Sequence, residues 1–179
     1  SVYGPALPGS RLAALSASSR SRFHGELDPR DVSEVLAQHD ALLFPSYWPG
    51  EGLPGVVIEA LQHGLPVIAA RWRSLPELVH HGVNGLLVEP RSVAALTEAL
   101  TRLASDDALF ARLSEGALAC GREFSAQTWQ LRLEAHLLQL CARAGAAKND
   151  ASVADVHEPA APLPRRTDLH LKCRESRFR

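Results

Sequence analysis

The chain has 179 residues, of which 46% are hydrophobic and 22% charged, and its formal net charge at pH 7 is −1. This length and composition fit one globular domain with a hydrophobic core. The balanced charge argues against general nucleic-acid binding, which needs a basic excess. No apolar run approaches the roughly 20 residues that span a bilayer, and the first residues lack the organisation of a signal peptide.

The cysteines and the absence of methionine bear on the origin of the chain. Cys120, Cys141 and Cys173 are widely spaced and odd in number, so they form neither a metal-binding spacing nor a disulfide framework. We expect reduced thiols and a cytoplasmic location. The chain starts at Ser1 and contains no Met. We therefore expect a processed start or a fragment of a longer reading frame, and the motifs below favour a fragment.

Short apolar runs predict the strands of a buried sheet. The three strongest runs lie at 41–44, 66–70 and 85–88, and two weaker candidates lie at 2–3 and 22–24. Continuous apolar runs of this length, bounded by Gly and Pro, are typical of strands that are covered on both faces.

Helical patterns separate these strands. The first is predicted over 28–39, with Asp28–Asp31 supplying a cap, a Pro for the first turn and acidic residues. The second is predicted over 54–63 and is stopped by Gly64. A third is predicted over 75–81, with Ser74 as its cap. Strands that alternate with helices predict an α/β fold with a partial doubly wound, Rossmann-like parallel sheet.

From Ser92 onward the apolar period is helical, and three helices are predicted, the third capped by Ser125. We expect their apolar stripes to serve packing alone. The three stripes are Val93, Leu96, Leu100 and Leu103; Leu109, Leu113 and Leu118; and Trp129, Leu133, Leu137 and Leu140. Residues 146–179 break every pattern and predict a disordered tail after a domain over 1–145. The basic end of this tail is interpreted as solvated, with contact to an acidic surface as the alternative.

The densest chemical signal is FPSYWPGEGLPGVVIE at residues 44–59. It begins at the end of a predicted strand, crosses a loop rich in Gly and Pro, and opens a helix. Ligands of open α/β sheets bind beyond the carboxyl ends of the strands. Pro54 suits the first helical position, which leaves the amides of Gly55, Val56 and Val57 without helical partners. Such a helix start favours an anion such as a diphosphate.

Two carboxylates flank this helix start. Glu51 lies in the loop and Glu59 lies more than one turn into the helix. Carboxylates accept hydrogen bonds in pairs, which suits the vicinal hydroxyls of a ribose or a hexose. Taken singly, each Glu is better explained as a helix-dipole partner or a solvated side chain than as a functional residue. The combination of strand end, glycines, proline and two acids favours a nucleotide-sugar site.

The run EGLPGVVIEA, which starts at Glu51, resembles the E-x7-E signature of family 4 retaining glycosyltransferases. These are GT-B enzymes, also named glycosyl transferases group 1. Other segments resemble the family in the same order: FHG at 23–25, LFPS at 43–46, HGLPV at 63–67, PE at 76–77 and HGVNGLLV at 81–88. The resemblance covers most of residues 1–143 and implies the C-terminal donor-binding domain of the GT-B fold.

The resemblance also implies roles for individual residues. Glu51 would be the catalytic residue, in contact with donor-sugar hydroxyls near the reacting carbon, and Glu59 would hold the ribose hydroxyls. The rest of the site would consist of Ser46, Gly52, Leu53, Pro54 and Gly55. Pro54 replaces a commoner Gly and gives up one N–H group, and Ser46 either shapes the loop or is a plain turn hydroxyl. Transfer would proceed with retention and without a metal or other cofactor.

The family also has parts that this sequence does not contain. They are an N-terminal acceptor domain, the first strand and helix of the donor domain, and a basic pair that neutralises the diphosphate. We therefore expect a separate acceptor domain or subunit as partner, with any peripheral membrane contact made through it. One hypothesis is a glycosyltransferase acting on a polysaccharide, glycolipid or small-molecule acceptor. The alternatives are a non-catalytic truncated donor-binding module and another GT-B enzyme, such as an epimerase or a phosphorylase.

Overall fold

The computed structural model describes residues 1–6 and 20–149. The chain divides into two compact units, Ser1–His39 and Asp40–Arg179. Each unit is described by itself below.

In the first unit, the two weaker strand candidates pair through one parallel bridge between Val2 and Phe23. The Val2 amide donates to the carbonyl of Arg22 at 2.8 Å, and the His24 amide donates to the carbonyl of Val2 at 2.9 Å. The rings of Tyr3 and His24 stack with their centroids 4.7 Å apart. The two predicted strands are therefore reduced to one isolated bridge.

Helix α1 covers Val32–Leu36 and is shorter than the predicted helix over 28–39. The carboxylate of Asp28 accepts from the backbone and the guanidinium of Arg30 instead of capping the helix. These bonds hold the pKa of the Asp28 carboxyl below its usual value. Asp31 occupies the N-cap position without a side-chain hydrogen bond. The predicted Asp28 cap is therefore wrong, and Pro29 lies before the helix.

The second unit contains a parallel sheet with the strand order β1-β2-β3. The elements follow one another as β1 (Leu42–Phe44), α2 (Gly55–Gln62), β2 (Val67–Ala70), α3 (Leu75–Leu78), β3 (Gly85–Val88), α4 (Val93–Ser105), α5 (Asp107–Glu123) and α6 (Ala126–Asn149). The predicted α/β fold with a parallel sheet is confirmed. Helix α3 is shorter than predicted, ending at Leu78.

The register of the sheet explains where its core lies. Ile68 is paired with Leu43 on one side and with Leu86 on the other, so all three side chains share one face. Helices α4 and α5 cover this face with Ala99, Leu103, Leu109 and Leu113. Every residue of β2 and β3 is buried. Leu43 in β1 is 40% exposed because β1 lies at an edge of the sheet, so its predicted full burial is wrong.

Gly64 ends α2, as predicted. Its φ of +73° lies in the left-handed region that other residues rarely adopt. The amide of Leu65 donates to the carbonyl of Ala60 at 2.9 Å, and that of Gly64 donates to the carbonyl of Leu61 at 3.0 Å. These two bonds form a Schellman motif, which satisfies the last carbonyls of the helix. The hydroxyl of Ser114 in α5 donates to the Gly64 carbonyl at 2.6 Å and joins this turn to α5.

Side-chain caps start the three C-terminal helices. Ser92 accepts from the Ala95 amide at 3.1 Å, Asp106 accepts from the Leu109 amide at 2.8 Å, and Ser125 accepts from the Thr128 amide at 3.1 Å. The predicted Ser125 cap is confirmed. Each bond satisfies one of the free amides at a helix start.

The apolar stripes of these helices are only partly buried. Leu103, Leu109 and Leu113 belong to the core, as predicted. The exposed members are Val93, Leu100, Leu118, Trp129, Leu133, Leu137 and Leu140. Helical periodicity indicates that one face of a helix is apolar, but it does not determine whether another element packs on that face.

The predicted disordered tail lies outside the described residues, except for residues 146–149, which continue α6. Within the described part of the chain, no helix combines the length and the apolar character needed to span a membrane.

Candidate active site

The β1–α2 loop, residues 45–54, begins at the carboxyl end of β1 with a tight turn. The amide of Glu51 donates to the carbonyl of Trp48 at 3.1 Å, with Pro49 and Gly50 at the two central positions. Pro at the second position of such a turn fixes the required φ. A Cβ on Gly50 would lie 2.7 Å from Nε1 of Trp48, so glycine lets the indole rest against the turn.

The turn brings Ser46 and Glu51 together. The Ser46 hydroxyl donates to Oε2 of Glu51 at 2.5 Å, and its oxygen accepts from the Trp48 amide at 3.4 Å. Glu51 is half-buried, and a short bond to a charged acceptor is among the stronger hydrogen bonds in proteins. Of the two interpretations of Ser46, the structure supports the one in which it shapes the loop, since it fixes one oxygen of the carboxylate.

The start of α2 differs from the prediction by one residue. Pro54 is the N-cap, with φ −71° and ψ 118°, and the helix begins at Gly55. The extended ψ of Pro54 excludes it from the first helical position. The amide of Val57 donates to the Pro54 carbonyl at 3.1 Å. The prediction that this amide lacks a hydrogen-bond partner is therefore wrong. The amides of Gly55 and Val56 have no hydrogen-bond partner among the described residues.

Glu59 is the fifth residue of α2 and is exposed. Four residues of helix place it about 6 Å along the axis from Gly55. No hydrogen bond joins Glu59 to Glu51 in the described part of the chain. The two carboxylates therefore flank the helix start as separate groups, one in the turn and one on the helix surface.

The loop after β2 holds the β1–α2 loop in place. The indole N–H of Trp72 donates to the Trp48 carbonyl at 2.9 Å, and the hydroxyl of Ser74 donates to the carbonyl of Gly52. Ser74 occupies the N-cap position of α3, but its side chain makes no capping bond, so its predicted capping role is wrong. Sequence reasoning missed both contacts. Both residues lie within four positions of the end of β2, which places them at the same edge of the sheet as the β1–α2 loop, but residue types alone do not identify the bonds.

Two arginines near this loop have left-handed backbone conformations. Arg73 has a φ of +50° and Arg91 a φ of +61°. The guanidinium of Arg91 lies 4.7 Å from the ring centroid of Tyr47, and that of Arg73 lies 5.9 Å from the centroid of Trp72. At these distances a cation is attracted to the face of an aromatic ring. Neither arginine was predicted as a site residue.

The one cavity described below lies apart from this loop. Over the residues that the structure describes, no three His, Cys, Asp or Glu side chains cluster closely enough to hold a metal ion. A cavity of about 210 Å³ lies between β3 and α4, with Glu89, Glu98 and Arg102 among its lining residues. It contains none of the predicted site residues, so the β1–α2 loop remains the candidate site.

The chain is similar to known glycosyltransferases in sequence and in structure. It is 41% identical over 114 residues to a D-inositol 3-phosphate glycosyltransferase of Corynebacterium glutamicum, a match that covers 62% of this chain and 26% of that protein. The crystal structure of Anabaena HepE with UDP-glucose superimposes with a TM-score of 0.63 at 27% identity, covering 76% of this chain and 40% of that one. Sucrose-phosphate synthase from Thermosynechococcus elongatus superimposes with a TM-score of 0.60 at 26% identity, covering 79% and 38%.

The chain thus spans about a quarter of the length of the Corynebacterium relative and about two fifths of the Anabaena protein. The family described as glycosyl transferases group 1 matches residues 2–106, a segment that includes the β1–α2 loop, α2 and the loops after β2 and β3. The fold is that of one GT-B domain. With more than half of its residues in this match, the chain belongs to the glycosyl transferases group 1.

Proposed function

We propose that this chain is the donor-binding domain of a retaining family 4 glycosyltransferase, which transfers a sugar from a nucleotide-diphosphate sugar to an acceptor hydroxyl. The observation that carries the proposal is the Glu51 carboxylate, which Ser46 fixes beside the start of α2. A carboxylate with one oxygen held by the protein keeps the other for a ligand hydroxyl. The UDP-glucose complex of the Anabaena protein supports a nucleotide sugar as the ligand.

The start of α2 has the properties that a diphosphate needs. The amides of Gly55 and Val56 have no described partner, and the dipole of the eight-residue helix adds partial positive charge. In the proposed reaction, the bond between the sugar carbon and the phosphate oxygen breaks. Negative charge then develops on the departing diphosphate, next to these amides. Groups that are already oriented toward developing charge lower the barrier.

Gly52 and Gly55 support a ligand that approaches the backbone closely. A Cβ at either position would meet no protein atom within 4 Å, and neither residue has a positive φ. The fold itself therefore does not require glycine at these positions. Small residues there leave the backbone open to a sugar or a phosphate, as the resemblance to the E-x7-E family implies.

The proposed mechanism retains the configuration at the sugar carbon. The acceptor oxygen bonds to the same face of the sugar that the diphosphate leaves, and its proton passes to the leaving phosphate. Glu51 orients the sugar through its hydroxyls, and Glu59 on the surface of α2 holds the ribose. Holding the reacting groups in this geometry supplies much of the acceleration.

Substitution of the two carboxylates tests this function in the full-length protein. We expect Glu51→Gln to lower kcat about 100-fold or more, since an interaction at the reacting sugar is lost. Glu59→Gln should instead raise the KM for the nucleotide sugar. Turnover is measured as nucleotide release from UDP-glucose, GDP-mannose and UDP-N-acetylglucosamine, and the product anomer is read by proton NMR.

The matched control is Glu115→Gln, at an exposed position of α5. It should leave kcat and KM unchanged. Wild-type turnover in the Glu51→Gln protein contradicts the role of Glu51. Inversion at the sugar carbon contradicts the retaining mechanism.

A further inference from the structure

Arg91 lies in a turn whose geometry favours glycine. The amide of Ser92 donates to the carbonyl of Glu89 at 3.3 Å and closes a four-residue turn over 89–92. Pro90 is the second residue of this turn, and Arg91 is the third, with a φ of +61°. Pro followed by a positive φ is the combination found in type II turns, where the third residue is usually Gly. Arginine therefore costs conformational energy at this position.

Both ends of the turn are fixed by regular secondary structure. The residue before the turn is Val88, which ends β3. The last residue of the turn is Ser92, the N-cap of α4, whose hydroxyl accepts from the Ala95 amide at 3.1 Å. Because a strand and a helix hold its two ends, the turn presents the Arg91 side chain from a fixed position.

The guanidinium of Arg91 lies over a side chain of the β1–α2 loop. Its central carbon is 4.7 Å from the ring centroid of Tyr47, a distance at which the cation and the ring attract each other. Arg91 forms no ion pair with a carboxylate among the described residues. The contact with the Tyr47 ring therefore offsets part of the conformational cost of arginine, and strain that is kept in this way concentrates at functional sites.

Tyr47 lies between two residues that are both bonded to Glu51. On one side, the Ser46 hydroxyl donates to Oε2 of Glu51 at 2.5 Å. On the other side, the Trp48 carbonyl accepts from the Glu51 amide at 3.1 Å. The Trp48 amide also donates to the Ser46 hydroxyl oxygen at 3.4 Å. A displacement of Tyr47 therefore moves the groups that orient the Glu51 carboxylate.

The segments that follow β2 and β3 support different parts of the β1–α2 loop. Bonds from the loop after β2 reach the carbonyls of Trp48 and Gly52. The Arg91 contact comes from the turn after β3 and reaches Tyr47, beside Ser46. The turn after β3 thus restrains the part of the loop that carries the Ser46 hydroxyl.

We propose that Arg91 is a positioning residue for sugar transfer, which orients the Glu51 carboxylate through the ring of Tyr47. Arg91 itself contacts no reacting atom. This inference rests on the proposed function, because Arg91 affects the reaction only through the role proposed for Glu51. It explains why arginine occupies a turn position that suits glycine.

Glycine at position 91 tests this inference, because it adopts a positive φ without strain and removes the guanidinium. In the full-length protein, we expect Arg91→Gly to lower kcat about tenfold and to change the donor KM by less than about twofold, since misplacing a reacting group slows the chemical step. Turnover is measured with UDP-glucose, GDP-mannose and UDP-N-acetylglucosamine. The melting temperature should equal or exceed that of the wild type, whereas a merely structural role predicts a lower melting temperature and an unchanged kcat.

Further variants test the partner and the charge. Tyr47→Leu should lower kcat by a similar factor, and the Tyr47→Leu/Arg91→Gly protein should lose no more than either single variant, because the two residues act as one unit. Arg91→Lys keeps a cation over the ring and should recover part of kcat. Arg73→Gly removes another left-handed arginine and reports the effect of this change on the melting temperature. Arg112→Ala, at an exposed position of α5, is the control and should leave kcat and KM unchanged.

The Glu51→Gln protein distinguishes action through Glu51 from direct contact with the substrate. Arg91→Gly should lower kcat less than about twofold in that protein, since the carboxylate that it orients is gone. An undiminished loss in that protein overturns the inference, as does a wild-type kcat in Arg91→Gly alone. Wild-type turnover in Glu51→Gln contradicts the proposed function itself. Dependence on Glu51 without any effect of Arg91 contradicts this inference alone.

Discussion

At the scale of single residues, glycines of this chain serve opposite purposes. A Cβ on Gly85 would lie 2.1 Å from the carbonyl oxygen of Val67 in the neighbouring strand. The sheet therefore requires glycine at position 85. A Cβ on Gly52 or Gly55 would meet nothing, so these two positions are candidates for glycines kept for a ligand.

Alanine substitution distinguishes the two purposes. We expect Gly55→Ala to preserve or raise the free energy of unfolding, by up to about 1 kcal/mol, because alanine favours a helix. The same variant should raise the donor KM about tenfold or more, because the added methyl group occupies the space proposed for phosphate. Gly85→Ala should lower the free energy of unfolding by about 3 kcal/mol or more through backbone overlap.

Denaturant unfolding and donor kinetics on the same two proteins check these values. A loss of stability in Gly55→Ala, with an unchanged KM, would show that position 55 serves the fold.

At the scale of elements, Asn84 joins the end of α3 to the start of β3. It is fully buried, its Nδ2 donates to the Leu78 carbonyl at 2.8 Å, and its Oδ1 accepts from the His80 amide at 2.6 Å. Its own carbonyl accepts from the Val67 amide at 3.3 Å. One side chain thus fixes the connection between helix and strand.

We expect Asn84→Ala to lower the free energy of unfolding by about 2 kcal/mol or more, since each buried polar group that loses its partner costs about 1–3 kcal/mol. Gln62→Ala is the matched control, because it removes an exposed bond from a side-chain amide to the carbonyl of Phe124. Its cost should stay below about 0.5 kcal/mol. Equal losses for the two variants in urea unfolding would contradict the role assigned to Asn84.

Elements with local causes were predictable from sequence, whereas contacts between loops were not. The stop of α2 at Gly64 and the cap at Ser125 follow from residues that are neighbours in the chain. The bonds from Trp72 and Ser74 to the β1–α2 loop join residues 24 and 22 positions apart. Their partners are backbone carbonyls, which every residue carries, so residue types alone do not identify the contact.

The positive φ values and the exposure of apolar side chains could not be predicted from the sequence either. Nothing in an arginine side chain signals a positive φ, so Arg73 and Arg91 read as ordinary surface charges. Ser46 and Glu51 were both predicted as site residues, but the hydrogen bond between them was not predicted. That bond depends on the turn that Pro49 and Gly50 form. The fold class was therefore predictable, whereas the bonds from Trp72 and Ser74 that hold the β1–α2 loop were not.

At the scale of the whole molecule, burial within the second unit decreases from the centre of its sheet toward α6. Strand β2 is paired on both sides, β1 lies at an edge, and most side chains of α6 described here are exposed. Local opening needs least free energy where few apolar contacts are lost. Stability should therefore be graded across this unit.

We expect amide hydrogen exchange, followed by mass spectrometry, to be slowest in β2, faster in β1 and fastest in α6. Peptides covering residues 66–70, 41–44 and 126–143 report the three elements separately. Equal protection of α6 and β2 would show that the apolar side chains of α6 are covered in solution.

The contacts of the candidate site with two neighbouring loops have an evolutionary consequence. The loop after β1 carries the carboxylate, the loop after β2 carries the two hydrogen-bonding side chains, and the segment after β3 carries a cation. The residues that form the core cluster lie in the strands and helices instead. Because Trp72 and Ser74 bond to the β1–α2 loop, we expect a change of substrate preference to need matched substitutions in both loops, while the scaffold is inherited unchanged.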